Sequence, residues 1–226
     1  MIRTITVISV LFAVSVNIDS QVKKKYKREI SFYAGLGIDY GITPDFNDYL
    51  VAAIPYSTSD SIRTFNAGIE FYGGLEYELS KQISLRADYS YYIRSVSYTY
   101  SPAVFEYTIS SHQPYLFVNY LIKEPNFSFK FGLGGGFHMQ NLDNRINNST
   151  TETYTSSGPS LRGEVIFSPK LSQNFYGYLS GFAFGNFYGK LKDQNGNPLQ
   201  AANSTSEASL SGYGVGARLG FIIKLN

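Results

Sequence analysis

From Ile30 onward, apolar and polar residues alternate with a period of two. Ile30, Phe32, Ala34, Leu36, Ile38 and Tyr40 fall on one side of an extended chain, with Ser31, Tyr33, Gly35, Gly37 and Asp39 on the other. The pattern returns over 65–79, where Phe65, Ala67, Ile69, Phe71, Leu75 and Tyr77 oppose Gly68, Glu70, Gly74, Glu76 and Glu78. It returns again over 83–94, with Leu85, Ala87, Tyr89 and Tyr91 against Arg86, Asp88 and Ser90, and over 127–139, with Phe129, Phe131, Leu133 and Phe137 against Lys130, Gly132, Gly134, Gly136 and His138. Shorter matches follow: Leu161, Val165 and Phe167 against Arg162 and Glu164, then Val215, Ala217, Leu219 and Phe221 against Gly216, Arg218, Gly220 and Lys224. Alternation of this length is strand behaviour, and a helical period of 3.6 fits none of these windows.

Two further segments are less regular. Over 104–123 the apolar set changes from odd positions (Phe105, Tyr107, Ile109) to even ones (Leu116, Val118, Tyr120, Ile122). One inserted residue produces such a switch, so a β-bulge is predicted near Pro114, which cannot donate to a ladder. Over 175–190 the aromatics Tyr176, Tyr178, Phe182, Phe184 and Tyr188 are expected outward, with Gly177, Leu179, Gly181, Ala183 and Gly185 inward.

The total is eight strands, and their connections alternate in length: long and polar at 43–63, 97–103, 142–157 and 192–208, short at 80–82, 123–126 and 168–174. Long loops at one end and tight turns at the other form the pattern of transmembrane β-barrels. Periodicity alone does not say which face is outside. Size does, because an eight-stranded barrel has an interior just wide enough for side chains. Several large aromatics per strand pair would overfill that lumen, whereas glycine beside Arg, Glu and Lys fits it. An outward apolar face needs lipid, and closure removes the unpaired edges that lipid cannot satisfy. Tyr40, Tyr91, Tyr107 and Tyr188 on the loop side, with Tyr77, Phe127 and Phe167 near the turns, are expected to form the interfacial girdles. The fold class expected is therefore all-β, an eight-stranded antiparallel up-and-down transmembrane barrel.

Composition sharpens this reading. The 226 residues include 21 Gly, 20 Tyr and 17 Phe, which suit strands and turns better than helices. The absence of Cys excludes a disulfide scaffold, a thiolate metal site, a thiol nucleophile and a lipid-anchored Cys. A formal charge of +2 gives no reason to expect nucleic acid. At the N-terminus, Met1-Ile2-Arg3 precedes an apolar stretch from Ile5 to Val16, too short for a membrane helix and suited to a signal-peptide core. Residues 1–20 are expected to be a signal peptide cut between 15 and 20, residues 21–28 a solvated basic tail, and 29–226 a single barrel domain.

The signal segment, the eight strands, the four longer loops and glycine-rich stretches such as Phe131-Gly132-Leu133-Gly134-Gly135-Gly136-Phe137 together resemble the OmpA/OmpX-type outer-membrane β-barrel family. Gly214-Val215-Gly216-Ala217-Arg218-Leu219-Gly220-Phe221 is similar to the closing strand of such barrels. The chain departs from that family by ending Ile223-Lys224-Leu225-Asn226, without a terminal aromatic. The family's optional peptidoglycan-binding domain is expected to be absent. The resemblance implies the outer membrane of a Gram-negative cell, with outer-membrane lipid, lipopolysaccharide and the barrel-assembly machinery as partners, a monomer, and an extracellular ligand at the loops.

Candidate chemistry is sparse. Glycines 132–136 lie within a strand, not between a strand and a helix, so they are no nucleotide loop. A lipid-modifying barrel hydrolase would use His-x-Ser, which neither His112-Gln113-Pro114 nor His138-Met139-Gln140 supplies. No catalytic residue, cofactor or metal is expected. The informative group is the set of charges on the inward face: Asp39, Glu70, Glu76, Arg86, Asp88, Lys130, Arg162, Glu164, Arg218 and Lys224. Buried charges persist when paired. Arg86, Arg162 and Arg218 are accordingly expected to pair with Glu70, Glu164 or Asp39, either as a plug that closes the lumen and fixes register or as a gate on a narrow ion path. The function expected is non-enzymatic, structural or surface-recognition, with a closed or nearly closed lumen. A small channel and, behind it, a lipid-modifying enzyme are the alternatives.

Overall fold

The computed structural model describes residues 28–53, 66–100, 103–147, 150–201 and 207–225; the expected signal peptide and nearly all of the basic tail lie outside them. Eight strands, β1 (Ile30–Ile42), β2 (Ala67–Glu78), β3 (Ile83–Tyr100), β4 (Ala103–Lys123), β5 (Phe127–Ile146), β6 (Glu152–Pro169), β7 (Phe175–Asn186) and β8 (Gly212–Lys224), pair in sequence order. All pairs are antiparallel, and β8 returns to β1 with Leu219 opposite Leu36, closing the barrel. One helix, α1 (Pro44–Ala53), follows β1.

The outer wall carries the apolar set. Leu36, Leu75, Leu116, Leu133, Leu161 and Leu219 each expose more than half of their surface. Register aligns them into a belt, for example Leu85 opposite Val118 and Val118 opposite Leu133. A closed sheet with its apolar side chains outside and its charges inside is stable in lipid, where every backbone polar group must be satisfied within the protein.

Four corrections follow, and the first covers two expectations that share one cause. There is no bulge at Pro114: β3 and β4 keep a single register from Ile83↔Tyr120 to Tyr100↔Ala103, with Pro114 opposite Tyr89. The apolar set changes parity because the environment inverts. Leu116, Val118 and Tyr120 point out to the belt, while Tyr107 and Ile109 point inward above it and are buried. The same inversion removes Tyr107 and Tyr188 from the girdle; both lie in an inner core, while Tyr40 and Tyr91 face outward.

Second, β3–β6 run on through most of the expected loops 97–103 and 142–157: β3 reaches Tyr100 and β4 starts at Ala103, while β5 reaches Ile146 and β6 starts at Glu152. Third, residues 44–53 of the expected loop 43–63 are helical. Thr43 precedes Pro44 and Asp45, a helix-start signature, and the Asn47 N–H bonds the Thr43 carbonyl at 3.0 Å.

Fourth, β7 is oriented the other way round. Tyr178 and Phe182 are buried in the lumen and Leu179 is exposed on the wall. The large rings fit because glycines face them from neighbouring strands. A Cβ on Gly216 would lie 2.3 Å from the Phe182 ring, one on Gly134 2.5 Å from Phe117, and one on Gly74 2.2 Å from the Tyr33 hydroxyl. The lumen therefore holds aromatics and charges together.

Candidate functional site: the charged lumen and its cap

Alternation places Arg86, Lys130, Arg162 and Arg218 on the inward face together with Glu70, Glu76, Asp88 and Glu164, and all eight are buried. The four cations and four carboxylates balance. Arg218 is the hub: its Nε and Nη2 hold both oxygens of Glu70 at 2.8 and 2.6 Å, Nη1 reaches Asp88 at 2.8 Å, and Nη2 also reaches Ser90 at 3.0 Å. Arg162 shares Glu70 from the other side at 3.0 Å. Arg86 pairs with Glu164, whose other oxygen accepts from Tyr178 and Ser180 at 2.6 Å each. Lower down, Lys130 pairs with Glu76, which also accepts from Ser84 at 2.5 Å and Asn119 at 3.3 Å.

The guanidiniums are layered between rings. Arg86 lies 4.1 Å from the centre of Phe117, Arg162 lies 4.6 and 4.3 Å from Tyr115 and Phe182, and Arg218 lies 4.5 Å from Tyr72. A guanidinium donates in its plane and stacks on its faces, so arginine can saturate such a packed site where lysine cannot. The alternation points to the charges but not to most of their aromatic partners: Phe182 is expected outward, and the lumen is expected too narrow for several large rings. The signal was present in the glycines that oppose them.

Not every candidate joins this lattice. Asp39 makes no direct ion pair with the three arginines among the described residues; it hydrogen-bonds the Tyr92 hydroxyl and feels Arg162 and Arg94 at longer range. Asp39 instead lines a small chamber of about 30 Å³ above the lattice, with Tyr92, Gln113, His138, Gln140 and Arg162. His138 is buried there and meets Tyr188 through Nδ1 at 2.6 Å. His112 faces outward, where its Nδ1 meets Tyr89 at 2.6 Å. Among the described residues no group of three His, Asp or Glu could hold a metal ion. At the turn end, Lys123–Glu78 and Lys224–Glu29, each at 2.6 Å, cross the rim.

Above the chamber the barrel mouth holds an apolar cluster. Phe46, Tyr49 and Leu50 of α1 meet Tyr107 and Ile109 of β4, Leu142 of β5, and Leu191, Leu199 and Leu210 from the segment between β7 and β8. That segment contains most of the expected polar loop 192–208, but its leucines fold inward and pair as Leu199 N–H to the Leu191 carbonyl at 2.8 Å. Its tip is an exposed turn in which Asn197 and Asn195 N–H groups donate to the Asp193 carboxylate, holding it below the usual carboxylate range. Leu50→Ala is expected to cost about 2–5 kcal/mol of cap packing. Limited trypsin digestion should report it as faster cleavage at Lys190 and Lys192 with the barrel core intact. The exposed Lys190–Asp45 pair, at 3.2 Å, contributes little by comparison.

No protein-family model matches the chain, and no curated protein sequence matches it significantly. Solved structures do. The chain is similar to the outer membrane protein OprG of Pseudomonas aeruginosa, with TM-score 0.51 and 9% identity over 88% of this chain and 96% of that one. It is also similar to Ail, the attachment invasion locus protein of Yersinia pestis, with TM-score 0.49 and 13% identity over 88% of this chain and all of that one. Neisserial surface protein A gives TM-score 0.49 and 10% identity over 88% of this chain and all of that one. The fold is that of the OmpA/OmpX-type outer-membrane barrels.

Proposed function

We propose that this chain is a sealed, non-enzymatic outer-membrane barrel whose role lies at its extracellular face and not in passage through its lumen. The observation that carries this reading is double closure. A charge-balanced lattice of buried ion pairs fills the barrel waist, and a separate apolar cap fills the mouth. Transport through the waist would require separating buried, mutually hydrogen-bonded ion pairs, and breaking one such pair costs about 3–5 kcal/mol. Export by a signal peptide at residues 1–20, insertion as a monomer by the assembly machinery, and contact with outer-membrane lipid and lipopolysaccharide belong to the same reading. Neither histidine supports an enzyme, since His112 is engaged with Tyr89 on the outer wall and His138 with Tyr188 under the cap. The extracellular role rests on the long strands β3–β6, which lift a rigid surface beyond the belt.

Liposome swelling tests the seal against solutes. Vesicles carrying the folded protein, diluted into isosmotic arabinose, should swell no faster than protein-free vesicles. Faster swelling would favour the small-channel alternative.

A further inference from the structure

The segment between β7 and β8 reaches out of the cap as a small hairpin. Leu191 and Leu199 are buried in the cap cluster, and the Leu199 N–H bonds the Leu191 carbonyl at 2.8 Å. Beyond them the chain reverses over Gln194, Asn195 and Gly196. The Asp193 N–H bonds the Asn197 carbonyl at 2.9 Å, and the Gly196 N–H bonds the Asp193 carbonyl at 3.1 Å. A three-residue hairpin loop of this kind closes on a left-handed residue, and Gly196 supplies it with a φ of 85°. Asn195-Gly196 is the one Asn-Gly pair in the sequence.

That pair offers the lowest steric barrier to ring closure between a side-chain amide and the next backbone nitrogen, because glycine has no Cβ to obstruct the approach. Both partners are open here. Asn195 and Gly196 are exposed, and nothing lies within 4 Å of a Cβ built on Gly196. Asn197 has the opposite chemistry, since Pro198 lacks the N–H that must ionise. What restrains Asn195 is Asp193. Its carboxylate accepts from the Asn195 N–H at 2.9 Å and the Asn197 N–H at 2.7 Å, and it also holds the Asn195 side chain.

We propose that Asn195 is a self-modification site: it deamidates through a cyclic imide with Gly196, at a rate set by the Asp193 clamp, and its product opens the hairpin at the edge of the cap. Hydroxide from bulk water takes the Gly196 N–H proton as its bond to the Asp193 carbonyl breaks. The nitrogen then attacks Asn195 Cγ, so that a new C–N bond forms while the Cγ–Nδ2 bond breaks. Ammonia leaves, having taken its proton from water, which regenerates hydroxide. Water opens the imide at either carbonyl and leaves aspartate or isoaspartate; nothing is oxidised or reduced. Either product sets a second carboxylate beside Asp193, where like charges repel. Isoaspartate also lengthens the main chain of a loop whose closing bonds fit three residues.

The test holds the full folded chain in detergent at mildly alkaline pH, in water enriched in heavy oxygen, and maps its peptides by mass spectrometry over time. Asn195 should convert to a labelled mixture of aspartate and isoaspartate. Asn186, which accepts from Ser160 at 2.6 Å and precedes Phe187, should stay intact. Asp193→Ala should convert about fivefold faster, the factor that one hydrogen bond's net contribution sets. Trypsin should cut the aged protein at Lys192 faster than the fresh protein, with the barrel core intact. An intact Asn195 in the folded chain, beside conversion in the urea-unfolded chain, would overturn the proposal by showing that the turn forbids ring closure. Aspartate without isoaspartate would overturn the imide route, an unchanged rate in Asp193→Ala the clamp, and equal trypsin cleavage the opening of the hairpin.

Discussion

Arg218→Ala is expected to remove most of the barrel's resistance to heat and denaturant. The guanidinium makes four hydrogen bonds to Glu70, Asp88 and Ser90, all within the lumen. Its loss strands carboxylates at a depth where water does not replace it, at a cost of about 3–5 kcal/mol. The readout is the temperature at which the compact gel band converts to the unfolded one, together with the urea midpoint in lipid vesicles. Arg218→Lys should rescue little, since one ammonium cannot hold Glu70 through two parallel bonds while reaching Asp88. Arg162→Ala should cost less, because Arg218 still holds both oxygens of Glu70. A wild-type midpoint for Arg218→Ala would mean that the lattice contributes nothing to stability.

Two glycine substitutions should differ sharply although both sit in strands. A Cβ on Gly74 would lie 2.2 Å from the Ala87 backbone carbonyl as well as from the Tyr33 hydroxyl, so neither a rotamer change nor a small shift relieves it. Gly74→Ala is expected to cost at least the upper part of the usual 1–3 kcal/mol overpacking range, and to leave much of the protein unfolded in refolding trials. Gly181 faces outward with nothing within 4 Å of the added atom. Gly181→Ala should fold at wild-type yield or better, since glycine weakens a strand interior. Equal yields for the two variants would contradict the packing described for the lumen.

Strand count, the turn-end parts of the strands, the turn-end connections and most of the inward charges are legible in the sequence, because the two faces of the barrel wall differ so strongly in polarity. What misled was the assumption that one polarity rule holds along a whole strand. It holds from Leu116 to Ile122 on β4 and reverses by Ile109, where lipid gives way to water outside and to apolar packing inside. Read with that reversal, Tyr107, Ile109 and Leu142 mark a second core instead of a bulge or a loop. The helix carried its own signal in Thr43-Pro44-Asp45, followed by Phe46, Tyr49 and Leu50 at helical spacing. Which arginine meets which carboxylate was not legible. Arg218 and Glu70 are 148 residues apart, and their meeting depends on register around a closed sheet. Asp39, adjacent in pattern to the others, is drawn to Tyr92 for the same reason.

The central claim is that the lumen is sealed, and ion conductance in a planar bilayer tests it most directly. Refolded wild-type protein, with insertion shown by its heat-modifiable gel mobility, should give no discrete current steps under applied voltage. Reproducible unitary steps from inserted protein would mean that ions pass the Arg218–Glu70 layer and the α1 cap, and would contradict the account.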